Sequence, residues 1–342
     1  MMKQVYIQEI EAYLPDKRLT NEDLASAYPE WTAEKIYQKT GIRSRPIVDE
    51  GTTALDLAER ACQQLFAHDG QVREQVDFLI LMTESPDYKL PPSACILQDR
   101  LGLRKGTGAF DINLGCSAYI YGLAVAKALV AAGIAHTVLL VTAETYSKYI
   151  HPLDKSTRTL FGDAASATVI SGHGRLRIGE FDLGTDGSGS GKLIVPAGMA
   201  RMPSTERTRA DETDGNGYVR SKEHLFMDGA AIFSFAIDVV PKTVKALLEK
   251  SAYAMDEIDL FIFHQANAYM LAYLRKKLRI PEERFYTCLE NTGNTVSSSI
   301  PIALLEALKS GAVPKQGHLV LAGFGVGLSW GSVLLTMEEN DD

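Results

Sequence analysis

A cysteine, a histidine and an asparagine sit in three turns whose flanking sequences point to one chemistry. Cys116 follows Asn113-Leu-Gly and precedes Ala118 to Ala131, a stretch charged only at Lys127. Such a stretch predicts a helix buried all round. A thiol at its start meets the positive end of the helix dipole and unpaired N–H groups, both of which favour thiolate. The same N–H groups can hold the oxyanion of an acyl group carried on the sulfur. His264 closes the apolar run Ile258 to Phe263, and Asn294 lies in Asn291-Thr-Gly-Asn-Thr. Taken singly, each fits a bland role: a core cysteine, a hydrogen-bonded structural histidine, a helix N-cap.

The elements around them give the three a common address. Residues 76–83, 136–144, 166–171, 258–264 and 318–325 are strand-like; 53–68, 230–250 (kinked or broken at Pro241) and 299–311 are helix-like. Strands apolar on both faces, alternating with helices, predict an α/β fold with a largely parallel sheet covered on both sides.

The chain also repeats itself. Asp77-Phe-Leu-Ile-Leu is echoed by Asp259-Leu-Phe-Ile-Phe, Arg100-Leu-Gly-Leu by Lys277-Leu-Arg-Ile, and Asn113-Leu-Gly-Cys by Asn291-Thr-Gly-Asn. Two further echoes follow in the same order, which indicates a duplication into residues 1–175 and 176–342 with a linker near 172–180. Across a pseudo-twofold axis Cys116 and Asn294 become counterparts. His264 ends its strand where Met82 and Thr83 end theirs, so the three groups meet at one end of the sheet, where α/β folds bind ligands. Residues 184–228, rich in Gly, Ser, Thr and Asp, read as an exposed insertion or lid.

Composition excludes several classes. The chain has 342 residues, 46% hydrophobic and 23% charged, with a net charge of −8. No basic surplus exists for nucleic acid or an anionic membrane. No apolar run reaches the roughly 18 residues of a membrane span, and the N-terminus has no signal-peptide pattern. The four cysteines are scattered, and none of the seven histidines makes a metal-binding pair. These features predict a cytoplasmic enzyme without metal or cofactor. Gly184-Thr-Asp-Gly-Ser-Gly-Ser-Gly-Lys-Leu fails the P-loop pattern at Asp186 and Leu193, and the glycines of 323–331 lack dinucleotide spacing.

His264-Gln-Ala-Asn, Gly293-Asn-Thr-Val-Ser-Ser-Ser-Ile-Pro, the Cys116 turn, Phe161-Gly-Asp, Phe324-Gly-Val-Gly-Leu-Ser-Trp-Gly-Ser and Thr40-Gly-Ile-Arg-Ser-Arg occur in the order found in one family. On these motifs the chain resembles the thiolase-like condensing enzymes, specifically the β-ketoacyl-ACP synthase III group. The resemblance covers nearly the whole chain. It implies a five-layer αβαβα fold, a homodimer, and a catalytic triad falling on Cys116, His264 and Asn294. It further implies that acyl-CoA loads Cys116 and that malonyl-ACP or malonyl-CoA is condensed with decarboxylation. His264 and Asn294 would then serve the enolate, and the N–H groups of Cys116 and Val326 the tetrahedral oxyanion.

For CoA or carrier-protein contacts the resemblance points to Lys35, Lys39, Thr40, Lys155 and Asn267. Lysines stand where the family carries Trp or Arg, with Trp31 upstream. The carrier-docking arginine falls on Tyr269. Leu90 takes the place through which a dimer partner closes the acyl pocket. Glu84 matches the general base of HMG-CoA synthases. Alternatives are therefore a condensation driven by Glu84, an acyltransferase of the same fold in a secondary-metabolite or surface-sugar pathway, and a non-catalytic dimer partner.

Overall fold

Strands apolar on both faces need cover on each, and helices supply it. The computed structural model describes residues 3–28, 30–215 and 217–338. Five strands, β1 (Tyr6–Tyr13), β2 (Phe78–Met82), β3 (Gly108–Ile112), β4 (Thr137–Glu144) and β5 (Ala164–Ser171), lie in the order β3-β2-β4-β5-β1. The next five, β6 (Leu176–Thr185), β7 (Leu260–Phe263), β8 (Phe285–Tyr286), β9 (Gly317–Gly325) and β10 (Ser329–Met337), lie in the order β8-β7-β9-β10-β6. The two orders are the same. So are the directions: β2 is parallel to β3 and β4, β7 is parallel to β8 and β9, and the other pairs are antiparallel. A short antiparallel contact, Tyr6 with Arg177 and Ile7 with Leu176, joins β1 to β6 into a ten-stranded sheet.

Alternate side chains along each strand enter different cores, which defines the layers. Ile80, Met82, Val138 and Leu140 pack with Leu260, Ile262, Leu319 and Leu321 around α3 (Ala118–Ala131) and α6 (Ser299–Lys309). On the opposite face, Leu79, Leu81, Leu139 and Val141 pack on α1 (Ala54–His68) and α2 (Ser93–Arg100). Phe261, Phe263, Val320 and Ala322 pack on α4 (Gly229–Ser251) and α5 (Ala268–Leu278). Helix, sheet, helix, sheet, helix is the five-layer αβαβα arrangement, with α3 and α6 in the middle layer. Only Ala128 of α3 is fully exposed, as expected for a helix between two sheets.

The repeat has a chemical signature as well as a topological one. The Asp77 carboxylate accepts the N–H groups of His136 (2.8 Å) and Thr137 (3.0 Å), and that of Asp259 accepts the N–H of His318 (2.8 Å). Each aspartate pins the start of its strand to the neighbour that enters beside it. Both are the first residues of the echoed runs, so the repetition seen in sequence preserves a backbone lock.

Helix α4 is not broken at Pro241. Two expectations are corrected. The sheet is mixed rather than largely parallel: among the described residues four neighbouring strand pairs are parallel and five antiparallel. The connection between β5 and β6 is 172–175 rather than 172–180, because residues from Leu176 onward pair with β1 and β10. Residues 184–228 are largely exposed and cover a cavity, as expected of an insertion or lid. They form short paired strands (Leu193–Ile194 with Phe226–Met227) and wall a cavity at the end of the sheet. Among the described residues no helix is long and apolar enough to cross a membrane.

Strand β9 passes hard against the Cys116 turn. A Cβ at Gly323 would stand 2.9 Å from Cys116 O and 2.9 Å from Ser117 Cα, both backbone atoms that cannot swing aside. Gly323→Ala is expected to lower unfolding stability by about 1–3 kcal/mol, measured by urea denaturation against wild type.

Candidate active site

The segment that precedes α3 carries Cys116 into the gap between β9 and the cavity. Its thiol is buried, at 5% exposure. Gly325 comes close enough that a Cβ there would touch Sγ at 2.8 Å. Burial pushes the thiol pKa up, and the carboxylates of Glu84 and Glu144 push it the same way. The backbone N–H groups of Val326 and of Cys116 itself oppose this by favouring the thiolate, without overcoming it. The N–H groups favour thiolate, as read from sequence, but burial and the two carboxylates outweigh them and the thiol rests protonated. The two N–H groups expected to form the oxyanion hole are nonetheless the two that reach the sulfur.

His264 follows β7, its N–H bonded to Ala322 O at 2.8 Å, and its ring lies edge-on to Phe324. Burial lowers its pKa to about 3, so the imidazole is neutral at physiological pH. Nδ1 is 2.6 Å from Ser299 Oγ at the start of α6. When the serine hydroxyl donates to Nδ1, the ring proton sits on Nε2. Nε2 has no protein partner among the described residues.

Asn294 is held by a clasp between distant loops. Its N–H donates to Leu160 O (2.9 Å), and its carbonyl accepts from Gly162 N–H (3.0 Å). Gly162 and Gly293 permit the contact: a Cβ on the first would lie 2.6 Å from Thr292 O, and on the second 2.7 Å from Leu160 O. The side-chain oxygen accepts the Val296 N–H at 2.9 Å, and the amide nitrogen has no protein partner among the described residues. Val296 adopts φ +52°, a costly conformation for a β-branched residue, held by full burial beside the site. Arg43 and Arg45 of the 40–45 motif brace this region. Arg43 N–H bonds Glu290 O (2.7 Å), and the buried Arg45 guanidinium donates to Asn21 Oδ1 (3.0 Å) and Thr159 O (2.8 Å).

Cys116, His264 and Asn294 line one cavity of about 550 Å³. Leu193, Phe226, Asp228 and Arg220 close it from the 184–228 segment. Arg220, paired with Asp154 at 2.9 Å, is a cavity cation that sequence reasoning missed. Ser299 was also missed, although its place in the 293–301 motif at the start of α6 is a signal for it.

The remaining candidates divide. Asn267 lines the cavity and caps α5, its Oδ1 accepting Met270 N–H at 2.9 Å. The Lys35 and Lys39 ammonium groups lie 5.6 and 4.7 Å from the Trp31 ring centroid, so the displaced tryptophan rejoins the lysines in space. Lys155 is ion-paired with Glu30 and lies 5.9 Å from the Tyr218 ring centroid. Thr40 does not face the cavity: its hydroxyl donates to Ile36 O (2.8 Å) and accepts Ile42 N–H (3.1 Å), a structural role. Leu90 is 81% exposed. Glu84 lies outside the cavity lining, behind Gly115, where a Cβ would meet its Oε2 at 2.4 Å.

A buried thiol, two side-chain donors and two backbone donors around one cavity, on a duplicated five-layer fold, define a thiolase-like condensing enzyme that works on thioesters. Comparison with known proteins narrows the class. The 3-oxoacyl-[acyl-carrier-protein (ACP)] synthase III pattern matches residues 110–187, and its C-terminal pattern matches residues 248–337. A β-ketoacyl-[acyl-carrier-protein] synthase III of Caldanaerobacter subterraneus subsp. tengcongensis is 38% identical, covering 95% of each chain. A solved 3-oxoacyl-(acyl-carrier-protein) synthase III is 49% identical with a TM-score of 0.95, covering 98% of this chain and 100% of its own. The Pseudomonas aeruginosa enzyme is 33% identical with a TM-score of 0.85, covering 98% and 99%. The chain belongs to the β-ketoacyl-ACP synthase III family and is an acyltransferase.

The His264 pKa gives a stability signature. It lies near 3 in the folded protein against 6.5 for a free imidazole, so between these values the unfolded chain binds the extra proton. Stability is then whole above pH 6.5 and falls as pH drops below it, by up to about 1.4 kcal/mol per pH unit. Urea melts of wild type and His264→Gln from pH 7 to 5 are expected to show a smaller acid loss in the variant.

Proposed function

We propose that Cys116 takes the acyl group of an acyl-CoA and that the acyl-enzyme condenses with a malonyl thioester, malonyl-ACP or malonyl-CoA, to give a 3-oxoacyl thioester and CO₂. The observation that carries this is the shared cavity in which His264 Nε2 and the Asn294 amide nitrogen have no protein partner beside the thiol. In the first half-reaction the Cys116 sulfur attacks the thioester carbonyl as its S–H proton is given up, and that proton is balanced by the one the departing CoA sulfur takes up. The carbonyl's oxyanion is held by the N–H groups of Cys116 and Val326, and CoA leaves as a thiolate that takes up a proton.

In the second half-reaction the bond from the malonyl α-carbon to its carboxylate breaks. CO₂ departs, and the electron pair forms an enolate whose oxygen accepts from His264 Nε2–H and Asn294. The enolate carbon attacks the acyl carbonyl, the C–S bond breaks, and the Cys116 sulfur leaves as thiolate and takes up a proton to restore the resting thiol. A neutral histidine suits this role because it donates a hydrogen bond without needing to be protonated again after each turnover. No metal or cofactor enters either step.

Partners follow the same reading. Lys35 and Lys39 on Trp31, with Lys155, offer cations to CoA phosphates, and Asn267 offers an amide at the cavity. Carrier protein docks over Tyr269 with Arg275, Lys276 and Lys277 nearby. The protein works as a cytoplasmic homodimer in which the exposed Leu90 closes the partner's acyl pocket. Residues 1–175 and 176–342 are the two duplicated units.

Intact-mass analysis with acyl-CoA, followed by malonyl thioester and CO₂ detection, tests the scheme. Wild type is expected to gain the acyl mass and lose it on condensation. Cys116→Ala should not acylate. His264→Ala and Asn294→Ala should still acylate but lose condensation by at least about 100-fold, the scale for removing an oxyanion donor. Acylation of Cys116→Ala, or condensation undiminished in both other variants, would refute the scheme.

A further inference from the structure

Two of the three residues in the run Phe161-Gly-Asp have a structural task. Gly162 belongs to the clasp on Asn294. Asp163, fully buried, accepts the N–H groups of Val48 (2.9 Å) and Ser147 (2.9 Å) and so ties together two segments that are remote in sequence. Both of those residues, with Leu19, Ile47, Ile150 and Pro152, line a second cavity of about 220 Å³. Phe161 lines this second cavity and the catalytic one, and among the described residues no other side chain lines both. The third residue of the run is therefore the wall between two spaces.

The catalytic cavity opens where its lining is exposed, at Gly229 and Ala230, while Phe161, Leu193 and Phe324 are buried and form its inner wall. A thioester that enters by the mouth and presents its carbonyl to Cys116 sends its acyl chain toward that inner wall. Phe161 and Ile150 belong to the same apolar cluster as Cys116 and Leu193, so apolar side chains extend from the sulfur to the second cavity. The charged groups of the second cavity are occupied or in water: Lys148 Nζ donates to Glu50 O (2.6 Å), Arg158 Nη1 donates to Pro152 O (2.7 Å), Asp49 pairs with Lys17 (2.8 Å), and Glu50 is exposed. What remains suits hydrocarbon, and a polar group entering it would lose water without gaining a partner. The Phe161 main chain is fixed by its bridge to Asn294, and its ring leans on Tyr146 at 5.3 Å between centroids. Joining the two cavities requires the ring to turn.

We infer that the Phe161 ring partitions the acyl site, and that the cavity behind it takes the far end of a long, unsubstituted hydrocarbon chain carried on Cys116 when the ring turns aside. The inference rests on Cys116 being the residue that carries the primer. A short primer stays within the catalytic cavity and does not meet the partition. A long primer must displace a packed aromatic ring, which costs free energy that a short one is spared. Phe161 is on this reading the residue that sets primer length.

The test is single-turnover acylation of Cys116, read by intact mass, with butyryl-CoA and dodecanoyl-CoA on the whole protein. Phe161→Ala is expected to raise the ratio of dodecanoyl to butyryl loading at least about tenfold over wild type, the scale on which an apolar pocket discriminates by size. Phe161→Leu, a smaller change, is expected to raise it less and serves if Phe161→Ala does not fold. Filling the second cavity from its half-buried rim, with Ile47→Trp or Leu19→Trp in the Phe161 variant, is expected to bring the ratio most of the way back. An unchanged ratio in a folded Phe161 variant would overturn the inference. So would a raised ratio that both tryptophan substitutions leave untouched, which assigns the extra room to the catalytic cavity alone. Failure of both thioesters to acylate wild type and variants would instead remove the role of Cys116, whereas butyryl loading with an unchanged ratio removes only the partition.

Discussion

A thiol taken out of water is a poor acid, and the architecture around Cys116 answers that constraint. Burial and two neighbouring carboxylates raise its pKa, while the N–H groups of Cys116 and Val326 pull it back. Those donors come from opposite halves of the chain. Val326 can reach the sulfur only because Gly323 and Gly325 let β9 pass with almost no clearance. The same N–H groups favour negative charge whether it sits on sulfur or on a carbonyl oxygen attached to it. Exclusion of water thus weakens the resting nucleophile and strengthens the stabilisation of each oxyanion that follows.

The duplicated topology is what allows groups so far apart in sequence to converge. Each set of five strands repeats the same order and directions, and Asp77 and Asp259 lock equivalent strand starts. Equivalent turns after β3 and β8 therefore lead into α3 and α6, side by side in the middle layer. The copies have diverged at the turns themselves. One carries a thiol; the other carries an amide whose loop is clasped by residues 160–162 and strained at Val296. The segment 184–228 leads from β6 into α4, and it supplies walls and the cation Arg220 to the cavity.

Much of this was legible in sequence because strands buried on both faces read as uninterrupted apolar runs, and because a duplicated sequence carries its own internal alignment. The ends of the strands following residues 76, 136, 258 and 318 were readable to within two residues. What failed did so for identifiable reasons. The sheet is mixed rather than largely parallel, because a strand buried on both faces reads as the same apolar run whichever way it points. Polar residues in 184–228 correctly placed the segment in solvent, while Leu193, Leu225 and Phe226 turn one side of it inward. Thr40 matched a ligand-contacting motif by position, whereas its hydroxyl is consumed by its own helix end.

The sequence by itself determined the layered α/β fold, the duplication and the meeting of Cys116, His264 and Asn294 at one place, because apolar periodicity and repeated turns are local properties of the chain. Tertiary structure alone decided their electrostatic states. The protonated thiol and the neutral imidazole tied to Ser299 depend on desolvation and on partners brought from remote segments. A pKa is a difference in solvation and charge contacts between two protonation states, and those contacts exist only once the chain is folded.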